Sequence, residues 1–476
     1  GKFTYDFDSV QFSYTYGYLN YEYTTIEDYD RTDNDYSVVL TSGQYQKQIT
    51  HEMQLVSTWD KKWNYVFGLF SFEDENFQPF NIHTDEEYYQ TVANAPVGGQ
   101  TWDNPLGVIY YQSGEVDNES IAAYGEVGIE LSDQWSLTLG GRYSEDDYTG
   151  FETQLRYYNL VREFGVQLPY VYDVSVGQFS GDPDRYVETV DAKHEDTYEN
   201  FTGKISLEYR PGDGNLFWGT IANGYKMGGV RLGSLDAALL EGGGVVSNGR
   251  FDQEDLIMYE LGWKGTMLDN KLQTEVVGFY YVYDDMQQLR GYRTEPPASI
   301  SLSEVVNMDA ETYGLEFSGT WLITDRLRAI GTYSYNNSEV TGDTFFQNHT
   351  YGERDENGEI IPENVKGNDL RITPEQKAAL SVHYFWPTDF GQFTIGTTYA
   401  YVGKRYFDVE NYDSEGGYTR LDLFASWTSE NDRYSITATG RNVTDELVYN
   451  NYSCSAAGDG VYGTPSFITR CGGAPI

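Results

Sequence analysis

The amino-acid sequence predicts an all-β protein, a transmembrane antiparallel up-and-down β-barrel of about 16 strands with short turns at one end and long loops at the other. Three observations carry this expectation. Apolar and polar residues alternate with a period of two along eight pairs of segments, the connections alternate short and long, and eight of the nine tryptophans stand within a few residues of a short turn. The alternation is clearest from Ser120 to Asp147. There Ile121, Ala123, Gly125, Val127, Ile129 and Leu131 share one face of an extended strand, opposite Ala122, Tyr124, Glu126, Gly128 and Glu130. After Ser132-Asp133-Gln134 the pattern resumes with Trp135, Leu137, Leu139, Gly141 and Tyr143 on one face and Ser136, Thr138, Gly140 and Arg142 on the other, so the stretch is a hairpin.

The remaining hairpins follow in order. The first runs Lys2 to Asp8 and Val10 to Thr25; the second Lys47 to Trp59 and Asn64 to Asp74; the Ser120 hairpin is the third. The fourth runs Glu199 to Tyr209 and Asn215 to Lys226 around Arg210-Pro211-Gly212-Asp213-Gly214, residues suited to the φ angles of a turn. The fifth runs Asp255 to Met267 and Lys271 to Asp285, the sixth Glu311 to Ile323 and Arg326 to Asn336, the seventh Ile372 to Trp386 and Gly391 to Phe407, and the eighth Thr419 to Thr428 and Arg433 to Tyr449. Between hairpins the pattern predicts long loops at Glu75–Asn118, Tyr148–Thr197, Gly228–Glu254, Met286–Ala310 and Asn337–Arg371. Short turns kept on one side are the habit of a membrane barrel, and loops of this length are usually functional.

Composition points the same way. Aromatic residues make up 16% of the chain and hydrophobic residues only 39%, a balance that suits strands facing something other than a packed protein interior. No run approaches the ~18 apolar residues of a membrane helix, so a membrane span has to be built from strands. Trp59, Trp63, Trp135, Trp218, Trp263, Trp321, Trp386 and Trp427 form the expected aromatic belt where hydrocarbon meets headgroups. Glu126, Glu130, Arg142, Lys264, Glu316, Arg328, His383, Asp422 and Arg441 are expected to face a wet lumen, because burying them in a small core is costly.

The formal charge of −43 excludes nucleic acid as a partner, since no basic stripe exists to displace phosphate counterions. Catalytic, cofactor and metal patterns are absent: there is no G-x-S-x-G, H-E-x-x-H, P-loop or C-x-x-C, and the five histidines are scattered. The reading is therefore not an enzyme. The only two cysteines, Cys454 and Cys471, suggest a disulfide in an oxidising compartment. Ligand-binding candidates are Arg156, Tyr157, Tyr158, Arg162, Tyr170 and Tyr172 in the longest loop, with Arg290 and Arg293 in a later one. Cations, hydroxyls and rings of this kind suit anionic or catecholate-like ligands, although the aromatics suit packing the loop into a lid even better. On the residues alone two other classes stay open: a passive 16-stranded porin, and a secreted acidic β-propeller enzyme or adhesin.

Several motifs resemble one family. Tyr259-Glu260-Leu261-Gly262-Trp263-Lys264, followed by Leu268-Asp269-Asn270-Lys271-Leu272, is similar to the "YE-GxK…LDxRL" hairpin of TonB-dependent outer-membrane receptors. Gly224-Tyr225-Lys226-Met227-Gly228-Gly229, Tyr313-Gly314-Leu315-Glu316 with Thr324-Asp325-Arg326-Leu327, and Gly440-Arg441-Asn442-Val443-Thr444-Asp445-Glu446 resemble further motifs of that family, in family order. The resemblance implies a 22-stranded barrel with periplasmic turns and extracellular loops, in the outer membrane of a Gram-negative bacterium. It also implies contact with outer-membrane lipid and lipopolysaccharide, and uptake of a scarce ligand such as a ferric siderophore with energy from the TonB complex. On that pattern the chain is expected to be the C-terminal part of a barrel, without the plug domain, the leading strands or the closing strand.

Overall fold

The computed structural model describes residues 1–28, 38–59, 61–84, 108–156, 171–173, 178–180, 190–212, 214–231, 250–293, 301–346, 353–356, 358, 360–454 and 471–475. Sixteen strands form one sheet, in which each strand is hydrogen-bonded to its neighbours in chain order. The hairpins are Lys2–Asp6 with Val10–Asp28, Val38–Ser57 with Trp63–Thr84, Val108–Glu130 with Trp135–Arg156, and Val190–Gly212 with Asn215–Lys226. They continue as Glu254–Met267 with Leu272–Arg293, Ser301–Thr324 with Leu327–Val340, Gln376–Thr388 with Gly391–Val402, and Tyr418–Ser429 with Ser435–Gly440. All eight expected hairpins are present, and every pairing between them is antiparallel as well. The first and last strands end the order without pairing to each other among the described residues.

The short turns are made by local chemistry. Leu268, Asp269 and Asn270 hold φ of 54°, 55° and 65°, a left-handed run that Asp and Asn tolerate and leucine does not favour. Gly391, at φ 137°, closes the seventh hairpin where the Thr388 hydroxyl donates to its carbonyl at 2.7 Å.

The two faces of the sheet differ as the alternation requires. Leu261, Ile121 and Phe201 are 72%, 70% and 69% exposed, and Ile205, Ile221, Leu139, Leu69 and Ile395 share their face. An apolar surface this continuous needs an apolar surround. Its lower border is a cross-strand row of rings. Trp135 stacks on Tyr209 at 4.5 Å, Tyr209 meets Phe217 and Phe217 meets Trp263 at 6.3 Å each, and Trp386, Phe393 and Trp427 continue at 5.8 and 6.5 Å. Trp59 and Trp63 pack edge to face at 4.7 Å, and Trp321 belongs to the same outer face. Trp218 departs from the expected belt. It pairs across to Gly262 and donates from its indole nitrogen to Glu260 at 2.6 Å, which puts it on the charged face.

The strands outrun the expected ones. Val108–Glu130 and Trp135–Arg156 contain 23 and 22 residues, and Ser301–Thr324 contains 24, whereas ~9–11 residues cross a bilayer. The segments 75–84, 108–118, 148–156, 190–197, 286–293 and 301–310, expected as loop, are paired strand. The reason is visible on the outer face, where Glu73, Glu75, Asp117, Glu119, Glu145 and Asp147 replace the apolar residues. Above the hydrocarbon both faces are polar, so the ladder continues while the alternation stops. The eighth hairpin errs the other way: its second strand ends at Gly440, not Tyr449. Asn442 and Asp445 take φ of 49° and 54°, the Asn442 side chain bonds to the Glu446 backbone in both directions at 2.8 and 3.0 Å, and Arg441 begins an exposed turn instead of facing a lumen from a strand.

Ile205→Arg, on the outer face opposite Ile221, is expected to cost ~2–4 kcal/mol, the penalty of a cation in mid-bilayer. Ser206→Arg, one residue along and on the polar face, should cost less than ~1 kcal/mol. Urea unfolding of the protein refolded into phospholipid vesicles, followed by tryptophan fluorescence, measures both.

Candidate functional site

The long-loop end of the sheet carries two constructions. One sits at the ends of the fifth and sixth hairpins. Met308, Ala310, Val340, Phe346, Val365, Leu370 and Val409 form a buried apolar cluster, with Tyr283, Met286 and Val306 packed on it. Its members come from strand ends of the fifth and sixth hairpins and from the connections at 341–375 and 403–417. The register shift between Tyr283 and Met286, with Asp285 at φ 54°, makes this possible. The bulge reverses which side chains point inward, so Met286 and Arg290 join the inner side that Tyr281 and Tyr283 hold below it.

Arg290 is the tie of this unit. It is 5% exposed, bonds to Glu304 across the hairpin at 3.0 Å and to Glu410 in the distant connection at 2.8 Å, and lies over the Phe346 ring at 4.3 Å. Arg290 is therefore a structural cation held by two carboxylates, and not a contact for ligand as its sequence context suggested. Arg371 fastens the same unit through donations to the carbonyls of Phe407 and Leu289 at 2.7 and 2.5 Å. Burial pushes the Asp408 carboxyl up to about 6, against the pull of backbone bonds from Asp413 and Tyr412. Burial and a 2.5 Å bond to Glu363 push the Tyr412 hydroxyl up to about 12.

The second construction is the inner wall of the second to fourth hairpins. The Tyr124 ring lies across Gly68, where a Cβ would meet it at 2.3 Å. Its hydroxyl donates to Glu52 at 2.5 Å and accepts from Gln54 at 2.7 Å. Above it Ser144 and Tyr225 bond at 2.6 Å and Tyr225 donates to Asp146, two buried residues of the wall. The charged residues expected inside stand here or further round the same face. Glu126 pairs with Lys204 at 2.7 Å, Lys264 with Glu275 at 3.3 Å, and Asp422 accepts from the Asn442 amide at 2.7 Å. Glu316 lines a shallow inner groove of about 470 Å³ with Glu275, Ser318, Thr332 and Lys377. Arg328 lies over the Phe385 ring at 5.3 Å beside His383, its strand partner, and Glu130 pairs across with Ser136.

Of the candidate loop residues, Tyr157, Tyr158, Arg162 and Tyr170 lie outside the described residues. Arg156, Tyr172 and Arg293 are described in backbone only, each at a paired strand position. Cys454 and Cys471 face each other in the register of a two-stranded ribbon, Tyr449–Cys454 with Cys471–Pro475. Alternation places Tyr124 on the charged face but does not mark Tyr124, Phe70, Glu304 or Glu410 as contacts; a tyrosine or tryptophan placed opposite a glycine in adjacent strands is the one signal that points to the packing of Tyr124.

A membrane-spanning strand wall with an apolar outside, a charged inside and folded connections packed on the ends of its fifth and sixth hairpins defines a β-barrel of the outer-membrane receptor class. The chain belongs to the TonB-dependent receptor family: the family described as "TonB dependent receptor-like, beta-barrel" matches residues 1–443. The pesticin receptor of Yersinia enterocolitica is 24% identical over 421 residues, covering 88% of this chain and 50% of that protein. A probable TonB-dependent siderophore receptor of Acinetobacter baumannii is 26% identical over 208 residues, 44% of this chain and 24% of that protein. The chain thus spans at most about half the length of these curated relatives. The crystal structure of the ferric yersiniabactin uptake receptor FyuA from Yersinia pestis matches the fold with a TM-score of 0.68 at 18% identity, over 96% of this chain and 57% of that one. Members of this family reside in the outer membrane of Gram-negative bacteria, and so does this barrel.

Two outcomes follow for the connections. Arg290→Met leaves Glu410 buried without its cation, and should cost the unit ~3–5 kcal/mol, read as lost hydrogen-exchange protection at 363–371 and 403–413. Because the folded Asp408 pKa is raised, the stability it contributes is complete below about pH 4 and is lost as pH rises through about 6. After allowance for its partial exposure this amounts to ~1 kcal/mol, so opening of residues 407–413, corrected for intrinsic exchange, should rise about fivefold from pH 4 to pH 7.

Proposed function

We propose that the chain is the barrel wall of an outer-membrane receptor that imports a scarce, bulky ligand, an iron chelate of the siderophore class, driven through TonB. The observation that carries this reading is the match to the receptor barrel family across residues 1–443, in the company of relatives named as pesticin and siderophore receptors. The plug domain and the contact with TonB belong to this proposal, as do lipopolysaccharide around the outer rim and a transport role in place of an enzymatic one. The folded cluster at the ends of the fifth and sixth hairpins favours a receptor over a passive porin. A porin mouth has no use for a buried apolar cluster tied by Arg290, whereas a receptor needs a shaped, preorganised surface. Arg156, Tyr157, Tyr158, Arg162, Tyr170, Tyr172 and Arg293 remain the proposed ligand contacts of the outward loops. The Cys454–Cys471 disulfide is proposed as a staple of the last ribbon.

The test is iron uptake. Cells carrying the gene should accumulate radiolabelled iron from ferric chelates with saturable kinetics, and a protonophore should abolish that uptake. Uptake that rises linearly with concentration and ignores the protonophore would return the porin reading. Cys454 and Cys471 should resist alkylation in protein recovered from cells until reductant is added; thiols that alkylate without reductant would remove the staple.

A further inference from the structure

The connection 403–417, between the seventh and eighth hairpins, is gripped at both its tip and its base. At the tip, Val409 belongs to the buried apolar cluster, its carbonyl accepts from the Asn368 side chain at 3.0 Å, and Glu410 bonds to Arg290 at 2.8 Å. Asn411 exchanges two bonds with the Asp369 backbone at 2.8 and 2.9 Å, and the Tyr412 hydroxyl donates to Glu363 at 2.5 Å. The tip is thereby tied to the segment 363–371 and to the ends of the fifth and sixth hairpins.

The base holds a different partner. Arg405 and Glu415 stand opposite each other in a small ribbon, Arg405–Tyr406 with Ser414–Glu415, and pair at 2.7 Å with side chains only 13% and 11% exposed. Together they take both backbone groups of Tyr449: its N–H donates to Glu415 at 2.9 Å and its carbonyl accepts from Arg405 at 2.5 Å. Tyr449 begins the last ribbon, and Val448 just before it is buried.

Both grips depend on one turn. Asp408 accepts from the Tyr412 and Asp413 amides at 2.9 and 2.5 Å, and the Phe407 amide donates to the Asp413 carbonyl at 2.8 Å. With residues 407–413 folded in this way, Glu410 reaches Arg290 while Arg405 meets Glu415 below it. Unfolding the turn parts Arg405 from Glu415, and Tyr449 then loses its hold. Breaking a largely buried ion pair is costly even where forming it adds little, so arrangements that keep one grip and lose the other are disfavoured.

We propose that the connection 403–417 is a mechanical bridge that couples the unit at the ends of the fifth and sixth hairpins to the last ribbon, so that these connections open and close as one body. The coupling is reciprocal: loosening either end loosens the other. It holds whatever ligand the barrel takes, and a ligand that touches one of these connections biases the rest.

The experiment is amide hydrogen exchange, read by mass spectrometry, on the full-length protein in detergent at one fixed pH. Arg290→Met, which cuts the grip at the tip, should raise exchange about tenfold or more not only at 403–413 but also at 449–454. Arg405→Met, which cuts the grip at the base, should raise it about tenfold or more at 449–454 and also at 363–371. Tyr412→Phe removes only the bond to Glu363 and serves as a mild variant; it should raise exchange at 363–371 and 449–454 together, by about two- to tenfold. Exchange at 46–56 and 121–130, in the wall of the second and third hairpins, should stay at the native rate in all three. Should either arginine variant disturb those wall segments, the mild variant decides. A native rate at 449–454 when the tip is cut, or at 363–371 when the base is cut, overturns the bridge, because the two grips would then open independently.

Discussion

The structure depends on one constraint: inside hydrocarbon each backbone N–H and C=O has to find its partner in the chain itself. The unbroken antiparallel ladder of sixteen strands answers it, and the other features follow. A ladder places successive side chains on opposite faces, so one face has to be lipid-compatible and the other is free to be charged. Leu261 with 72% exposure and Glu260 bonded to Trp218 are adjacent residues living under opposite rules. The rings from Trp135 through Tyr209 and Phe217 to Trp263 mark where the rule ends on the short-turn side.

This constraint also decides what could be read from the sequence. Inside the hydrocarbon it writes itself into composition, so all eight hairpins, their turns and the two faces were legible. Above the bilayer it relaxes. Asp147 points outward and Asp146 and Tyr148 inward, and a period of two cannot be seen when both faces are polar. Long paired segments such as 148–156 therefore looked like loop. Trp218 departs from the belt for a related reason: distance from a turn is legible in the sequence, whereas its inward side follows from the strand register opposite Gly262. Arg441 failed because Asn442 folds its side chain back onto Glu446 and ends the strand, a local choice made by one amide.

Arg290 shows why charge type and loop position predict role poorly. It lies over the Phe346 ring. Arg290 follows a bulge that turns it inward, opposite Glu304, and a connection reaching back from Glu410, 120 residues along, completes its surround. Nothing near Arg290 in sequence announces that second carboxylate. A buried pair of this kind adds little net stability, because desolvation offsets most of the attraction. What it does is penalise every arrangement in which the connections are apart, so the apolar cluster of Met308, Val340 and Val409 has one way to close. The result is a shaped surface at the ends of the fifth and sixth hairpins.

A net charge of −43 opposes the anionic ligand proposed for the loops, and the length scale of screening reconciles the two. At physiological ionic strength a charge is felt over ~8 Å, so the acidic outer rim does not set the potential on the inner wall; the residues within a few ångströms do. There the local balance is set by pairs. Glu126 with Lys204 and Glu275 with Lys264 cancel at contact distance and contribute little field beyond it.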